Sequence, residues 1–489
     1  MLKARLKSEF FSTLPPVWPH DPVEDLQRVI EGDPRKIVVL DDDPTGTQTI
    51  HDLAVVTDWT VETLGREFRD PDRCFFILTN SRALDFSAAA AFALEIGRNL
   101  QTAAKSTGRS FVVISRSDST LRGHFPAETD ALVQGLEEDF HALVLIPFFE
   151  AGGRFTIDDI HYVTQGEELV PAGLTQFAAD PSFGYRSSHL VGWVMEKTGG
   201  AVSAEKIISI GLPCLRQNGP DHITRLLNSV PAGSVIIVNA ACQRDLEVFT
   251  LGAIQSELKG RRFLYRTAAS FVAVRAAISP RDLLSSRDLL GAPDNSAETK
   301  TGGLIIVGSH VNTTTAQLAA LRQQSRIDFH EIDVEAVLDQ TTRAGTIMKS
   351  AQKINETLAK GDHLIVSTSR KLISGDSSLS SLEISGRISS ALVEITRQLT
   401  VRPQWIVAKG GITSSDIAVK GLGVKRAWIM GQIQPGIPVW KLGKESAFPD
   451  LVYVVFPGNV GTPETLAQVA CKLGVPVFRP SPDDGPSPS

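Results

Sequence analysis

The sequence predicts two α/β domains with mostly parallel sheets flanked by helices, and three observations carry that prediction. Short continuous apolar runs of Val, Ile, Leu and Phe recur along the chain, as strands buried on both faces of a parallel sheet require. Helix-like stretches separate several of them, the alternation of an α/β fold. The series breaks once, over residues 279–303, in a segment rich in Pro, Gly, Ser and charge, and then starts again.

The first series of runs covers 36–40, 53–57, 74–79, 110–115, 142–147, 207–210 and 234–239. Between them, 87–104 is Ala-rich with Phe92, Ile96 and Leu100 at four-residue spacing, and 245–258 is a second predicted helix. The second series covers 304–307, 328–334, 364–367, 405–408, 426–430 and 451–456. The predicted organisation is an N-terminal extension, 1–35, with a short helix near 22–31; a first domain, 36–280; and a linker, 281–302, that holds a short helix. A second domain, 303–475, and a low-complexity tail, 476–489, read as disordered, complete it.

Bulk properties exclude several classes. With 489 residues, two or three domains are expected, each long enough to bury its own core. A net charge of −6 and the lack of any Lys/Arg run argue against a nucleic-acid partner and against a polybasic membrane surface. No apolar run approaches the ~18 residues of a membrane span. The N-terminus lacks the apolar centre and cleavage site of a signal peptide, so a cytoplasmic location is expected. Cys74, Cys214, Cys242 and Cys471 are scattered without a C-x-x-C pair and read as small buried thiols.

The most informative stretch is KIVVLDDDPTGTQ, residues 36–48, where an apolar run ends in Asp41, Asp42 and Asp43. Ligands of open α/β sheets bind beyond the carboxyl ends of the strands. Three adjacent carboxylates repel one another unless a cation or hydrogen-bond donors satisfy them. Two functional readings compete. Asp41, Asp43 and Thr45 fit the D-x-D-x-T motif of haloacid-dehalogenase-type phosphatases, and ILTNS at 77–81 imitates their second motif. The paired acidic residues that complete that magnesium site are not found. The other reading is a site for a polyhydroxylated ligand, in which one Asp accepts hydrogen bonds from hydroxyls or acts as a base on one of them. Strand alternation places Asp42 opposite to Asp41 and Asp43.

Cations stand at neighbouring strand ends. Arg82 follows the run at 74–80, and Arg116, Asp118, Ser119 and Arg122 follow the run at 110–115. An Arg grips a carboxylate with two parallel hydrogen bonds, so a carboxylate-bearing substrate fits this set. Ser119 and Thr120 can bond sugar hydroxyls, and Gly123 permits close backbone approach. His124 reads equally as a ligand contact or a core histidine. Residues 148–163, with Gly152, Gly153 and Arg154, and residues 177–190 read as loops that either close over a substrate or simply connect elements.

The second domain has no G-x-x-x-x-G-K-[ST] motif and so is not a P-loop domain. Three strand-to-helix junctions nonetheless carry glycine: Gly308-Ser309 before a helix starting at Asn312 or Thr313; Lys409-Gly410-Gly411-Ile412-Thr413-Ser414; and Pro457-Gly458-Asn459-Val460-Gly461 before Thr462 as an N-cap and Pro463 as the first helical residue. Free N–H groups at such junctions favour anions, which points to a nucleotide. Lys409 reads as a phosphate contact or an exposed Lys.

The motifs LDDDPTGT, LTNSRAL, SRSDSTLRGH, GSH, KGGITSSD and PGNVG together resemble the four-carbon acid sugar kinases over about residues 36–473. The resemblance implies a sugar-acid-binding N-terminal domain, an ATP-binding C-terminal domain and an active-site cleft between them. It implies ATP-dependent phosphorylation of a terminal hydroxyl of threonate, erythronate or an oxo-tetronate. By motif match, Asp41, Asp42, Arg82, Arg116, Asp118, Ser119 and Arg122 fall to the acid. Ser309, Gly410, Gly411, Ile412, Thr413 and Gly458 fall to ATP. Arg116 stands where many relatives have Lys, His124 where they have Asn, and PGNVG replaces S-G-N-F-G; the first 35 residues are extra. In the mechanism this suggests, Arg82, Arg116 and Arg122 hold the carboxylate, Asp42 or Asp41 is the base, and Mg²⁺ bridges the ATP phosphates with ligands left open. A homo-oligomer is compatible with this reading. A phosphatase of the dehalogenase type and a non-catalytic sugar-acid sensor are the competing classes.

Overall fold

The computed structural model describes residues 2–291, 301–309, 311–369 and 381–476. The segment 292–300 of the expected linker, His310 of the GSH motif and residues 477–489 of the expected tail lie outside the described residues. The chain forms two compact units. One takes the residues up to Thr49 together with Asp58–Pro280, and the other takes Ile50–Thr57 and the chain from Arg281 onward.

The first unit is built on parallel strands in the order Ile207–Ile210, Ser234–Val238, Ala142–Ile146, Phe263–Thr267, Phe111–Arg116, Lys36–Asp41 and Cys74–Leu78. Lys36–Asp41 is buried at every position, which is why its sequence shows no alternation. Its neighbours are Phe111–Arg116, which ends in an arginine, and Cys74–Leu78, which Arg82 follows. In register, Asp41 lies between Leu78 and Arg116, so the acidic end and the cationic ends meet at one edge of the sheet. Helices Phe86–Thr107 and Gln243–Glu257 occupy the two helix positions expected from the sequence.

A small antiparallel sheet stands apart, in the order Arg5–Leu6, Glu168–Pro171, Ile160–Gln165 and Arg154–Ile157. It corrects the expectation of a loop at 148–163. Ile157 pairs with Ile160 around Asp158-Asp159, both at positive φ (50° and 59°), the geometry of a two-residue hairpin turn. The N-terminal extension belongs to this unit. Arg5–Leu6 completes the small sheet, Phe10 packs edge-on against Tyr162 at 5.6 Å, and Phe11 against Phe155 at 5.1 Å. Its expected helix is observed at Val23–Gly32.

The second unit has a mixed sheet: Leu53–Val56, Arg426–Gln434, Ile437–Leu442, Val452–Phe456, Trp405–Lys409, Leu304–Val307, Leu364–Thr368 and Asp328–Ile332. Pairing is antiparallel as far as Val452–Phe456 and parallel beyond it. The strand Leu53–Val56, read in the first series, pairs here with Arg426–Gln434. Residues 281–291 pack rather than merely link. Leu284 and Leu289 join the core of this unit with Trp405, Val407, Val454 and Phe456, and Ser285 caps the helix Ser286–Leu290. Among the described residues, no helix is long and apolar enough to cross a membrane.

Candidate active site

The buried strand Lys36–Asp41 delivers its aspartates into a ring of arginines. Asp41 is 0% exposed; it accepts from Arg116 Nη1 at 3.0 Å, and its other oxygen is buried without a partner. A side chain at Gly46 would begin 2.1 Å from both Asp41 oxygens, so only glycine lets the loop cover this carboxylate. Asp42 accepts from Ser117 Oγ at 2.9 Å and faces Arg82 Nε at 3.4 Å and Arg116 Nη1 at 3.6 Å. Asp43 bonds Thr45 and pairs with Arg82. Asp41 and Asp42 therefore converge on one Arg116 nitrogen, which corrects the alternation argument. The strand ends at Asp41, and Asp42 lies past it, where the pleat no longer dictates direction.

Charge follows geometry. Burial pushes the Asp41 carboxyl up to about 7 against the pull of Arg116, with Asp42 and Asp43 adding to the rise. Burial also raises Asp42, opposed by Arg82 and Arg116. Burial works on Asp43 as well, but Arg82 and the Thr45 bonds outweigh it and hold it below the usual range. Against burial, Arg82 and Arg122 hold Asp118 well below that range. The cluster thus divides into two carboxyls, Asp41 and Asp42, whose charged form burial disfavours, and two, Asp43 and Asp118, whose charged form the arginines favour.

The turn after Phe111–Arg116 completes the site. Asp118 accepts from Arg122 Nε at 2.8 Å and faces Arg82 Nη1 at 3.7 Å. Arg122 also reaches Asp180, at 3.6 Å, from the segment 177–190. The small sheet and the segment 177–190 pin this turn: His161 Nε2 of the sheet meets the Ser119 carbonyl at 2.7 Å, its Nδ1 meets the Thr156 hydroxyl at 3.0 Å, and Tyr185 of the segment donates to the Thr120 carbonyl at 2.7 Å. Ser119 is thereby held by its backbone beside Asp118. His124 is a core histidine: its Nε2 lies 3.1 Å from the Ser81 carbonyl and its ring packs edge-on against Phe183 at 4.9 Å.

His161 went unread in the sequence because a lone His in an alternating stretch gives no signal; the two-residue Asp-Asp turn beside it was the available clue. Burial pushes its imidazole down to about 4, so it sits neutral in the fold. The unfolded chain, at about 6.5, binds more protons between these values. This contribution is full above about pH 6.5 and is lost as pH falls toward 4, roughly 2 kcal/mol of it between pH 7 and 5. His161→Gln should therefore flatten the fall in stability over pH 7–5 in urea titrations of both proteins. Parallel profiles would refute the buried neutral imidazole.

In the second unit the glycine junctions gather. Their strands, Val452–Phe456, Trp405–Lys409 and Leu304–Val307, are adjacent and parallel. Gly308 N donates to the Lys409 carbonyl at 3.2 Å, and Gly410 N to the Phe456 carbonyl at 2.8 Å. Thr314 Oγ1 ties Ser309 Oγ, at 3.2 Å, to the Gly458 carbonyl, at 2.9 Å. A side chain at Gly458 would start 2.7 Å from Ser309 Oγ, and one at Gly410 would start 3.0 Å from Thr413 Oγ1. Ser309, Gly410, Thr413 and Gly458 thus line one cradle that a Cβ would fill. Gly411 opens the short helix that follows, and Ile412 stands exposed on its first turn.

Some expectations change here. Lys409 is fully buried, bonded to the Pro457 carbonyl at 3.0 Å and lying over the Phe456 ring, so it is not an exposed Lys. Thr462 does not cap a helix: its hydroxyl turns to Glu464, and the helix is Thr465–Lys472. Cys74 is buried as expected, Cys214 and Cys242 are half-buried, and Cys471 is exposed. Among the described residues, no group of three or more His, Cys, Asp or Glu is arranged to hold a metal ion, and guanidinium groups pair with the aspartate triplet.

Residues 37–275 match the family model of a sugar-binding N-terminal domain, and residues 304–466 that of a nucleotide-binding C-terminal domain. A D-erythronate kinase of Heliobacterium modesticaldum is 25% identical over 74% of this chain and 79% of its own length. A 3-oxo-tetronate kinase of Pseudomonas fluorescens is 27% identical over 67% of this chain and 71% of its own. A crystal structure from Haemophilus influenzae, of the DUF1537 family, shares the fold with a TM-score of 0.61 at 18% identity, covering 89% of this chain and 100% of that one. With both domain models matched in order along most of its length, the chain belongs to the four-carbon acid sugar kinase family.

Proposed function

We propose that this protein is an ATP-dependent kinase that phosphorylates the terminal hydroxyl of a four-carbon sugar acid, threonate, erythronate or an oxo-tetronate, in sugar-acid catabolism. The observation that carries the reading is the meeting of Asp41, Asp42, Arg82, Arg116, Asp118 and Arg122 at adjacent strand ends. The names of the relatives, an erythronate kinase and 3-oxo-tetronate kinases, support it.

Asp42 is the proposed base. Its raised carboxyl, held by Ser117, accepts the proton of the terminal hydroxyl and directs that oxygen toward phosphorus. Asp41, sealed under Gly46, cannot reach a substrate; it holds Arg116 in place. Ser119 offers its hydroxyl to the sugar. ATP is the second substrate, supplying the phosphoryl group; Ser309, Gly410, Gly411, Ile412, Thr413 and Gly458 would hold it, the amides and hydroxyls bonding phosphate oxygens. Mg²⁺ would enter with the nucleotide and supply positive charge against its phosphates.

The sealed position of Asp41 weighs against the phosphatase alternative, whose first motif residue must attack phosphorus directly. The glycine cradle weighs against a sensor that binds only a sugar acid. The test is acid-dependent ADP formation across a panel of tetronates. Acid binding with no ADP formed would favour the sensor, and phosphate release from phosphoesters without ATP the phosphatase.

A further inference from the structure

One further guanidinium belongs to the acid site and differs from the others. Arg82 faces Asp42, Asp43 and Asp118; Arg116 faces Asp41 and Asp42; Arg122 faces Asp118 and Asp180; and Arg266, deeper in the sheet, faces Glu128 at 3.5 Å. Each of these positive charges is already answered by a carboxylate of the protein. Arg154 is not. Its one side-chain hydrogen bond goes from Nη1 to the Gly152 carbonyl, and its Nε is buried with no acceptor.

Its placement is built. Arg154 opens the strand Arg154–Ile157 of the small sheet, and His161 of that sheet bonds the Ser119 carbonyl in the turn that carries Asp118 and Arg122. The Arg154 guanidinium lies 5.8 Å from the centre of the Phe177 ring, and the Arg122 guanidinium lies 5.1 Å from the same centre. Two cations thus share one ring. Gly152 makes room for the fold-back: a side chain there would start 2.4 Å from the Phe149 ring and 2.8 Å from Arg154 Nη1. The charged groups that act on Arg154 are Asp118 and Arg122, and burial works against its charge. Asp118 is already committed to Arg82 and Arg122. A half-buried cation beside a second cation, lacking a carboxylate of its own, is stabilised by an anion that arrives from outside.

We propose that Arg154, with Arg122 beside it, receives the carboxylate of the sugar acid and is the residue that distinguishes an acid from a neutral sugar. This rests on the kinase reading above, and it moves the carboxylate contact away from Arg82 and Arg116, whose charges the aspartates already neutralise. Those two arginines instead hold Asp41, Asp42 and Asp43 in position. Nothing local singles out Arg154, because its lack of a carboxylate partner appears only once the aspartates are assigned to the other arginines.

The experiment compares wild type with Arg154→Ala and Arg154→Lys, using the preferred tetronate of the panel and the tetritol of the same stereochemistry. Losing a two-pronged charged contact should raise KM for the acid about 10²-fold. The kcat should move far less, the tetritol rate should stay the same, and Arg154→Lys should restore only part of the affinity. Should Arg154→Ala not fold, Arg154→Gln carries the same comparison. Acid affinity unchanged in the variant, or equal losses for acid and tetritol, would overturn the proposal and leave the kinase reading standing. The converse failure is separable by a thermal-shift titration with the acid alone. A wild-type protein that is stabilised by the acid but forms no ADP overturns the kinase reading, whereas the loss of that stabilisation in Arg154→Ala still supports Arg154.

Discussion

Asp42→Asn should lower kcat for the sugar acid by about 10²–10⁴-fold, the usual worth of a positioned general base, while KM for ATP stays near the wild-type value. Asn keeps the shape of Asp42 and can still accept from Ser117, so the loss falls on proton transfer rather than on binding. Burial raises the Asp42 carboxyl, so its charged form is held at a cost to the fold, and the variant should be no less stable than wild type. The same direction sets the pH profile. The base works deprotonated, so kcat/KM should rise with pH along an acidic limb whose midpoint lies above the ordinary carboxylate range. Asp41, pushed up to about 7 in contact with the same Arg116 nitrogen, titrates with it as a pair, so the limb belongs to both residues. Steady-state kinetics across pH 5–9 check this. Turnover unchanged in Asp42→Asn would remove Asp42 as the base.

Glu257→Ala should cost the first unit about 3–5 kcal/mol, the effect of leaving buried cations without their partner. Glu257 accepts from the Tyr265 hydroxyl at 2.6 Å and from Arg275 at 2.9 Å, and pairs with Arg35 at 3.0 Å. Arg275 is 1% exposed and pairs as well with Asp33, which Arg35 also grips. Removing one carboxylate leaves two arginines and one aspartate in the interior, an uncompensated positive charge. Urea unfolding followed by circular dichroism should show the first unit's midpoint falling well below wild type, with ATP-dependent stabilisation of the second unit preserved. A variant as stable as wild type would mean that this network is not a structural clamp.

The sheet ends were legible because continuous apolar runs stop abruptly at chemistry: Leu40 before Asp41, Leu78 four residues before Arg82, Ser115 before Arg116. Sequence gives which residues end a strand, and a parallel register then brings the ends together. The glycine junctions were readable for the same reason. What stayed hidden depends on distant partners. Leu53–Val56 looks like any buried strand, and only its pairing with Arg426–Gln434 places it in the second unit. Asp41 and Asp42 share Arg116 because the backbone leaves the strand between them, a turn that alternation cannot report. The hairpin Arg154–Ile157 and Ile160–Gln165 is short and flanked by glycines, so the loop signal outweighed its alternation. Thr462 followed by Pro463 carries the local signature of a helix start, yet the Glu464 carboxylate takes the hydroxyl and the helix begins at Thr465.

The measurement that bears most directly on the account is an ADP-coupled initial-rate assay with the D- and L-forms of threonate and erythronate and with 3-oxo-tetronate, followed by phosphorus NMR of the product. The expected result is ADP formation that depends on one or two of these acids, with the new phosphate ester on the terminal carbon. Equal ATP turnover with and without every acid, or an ester on an internal hydroxyl, would contradict it.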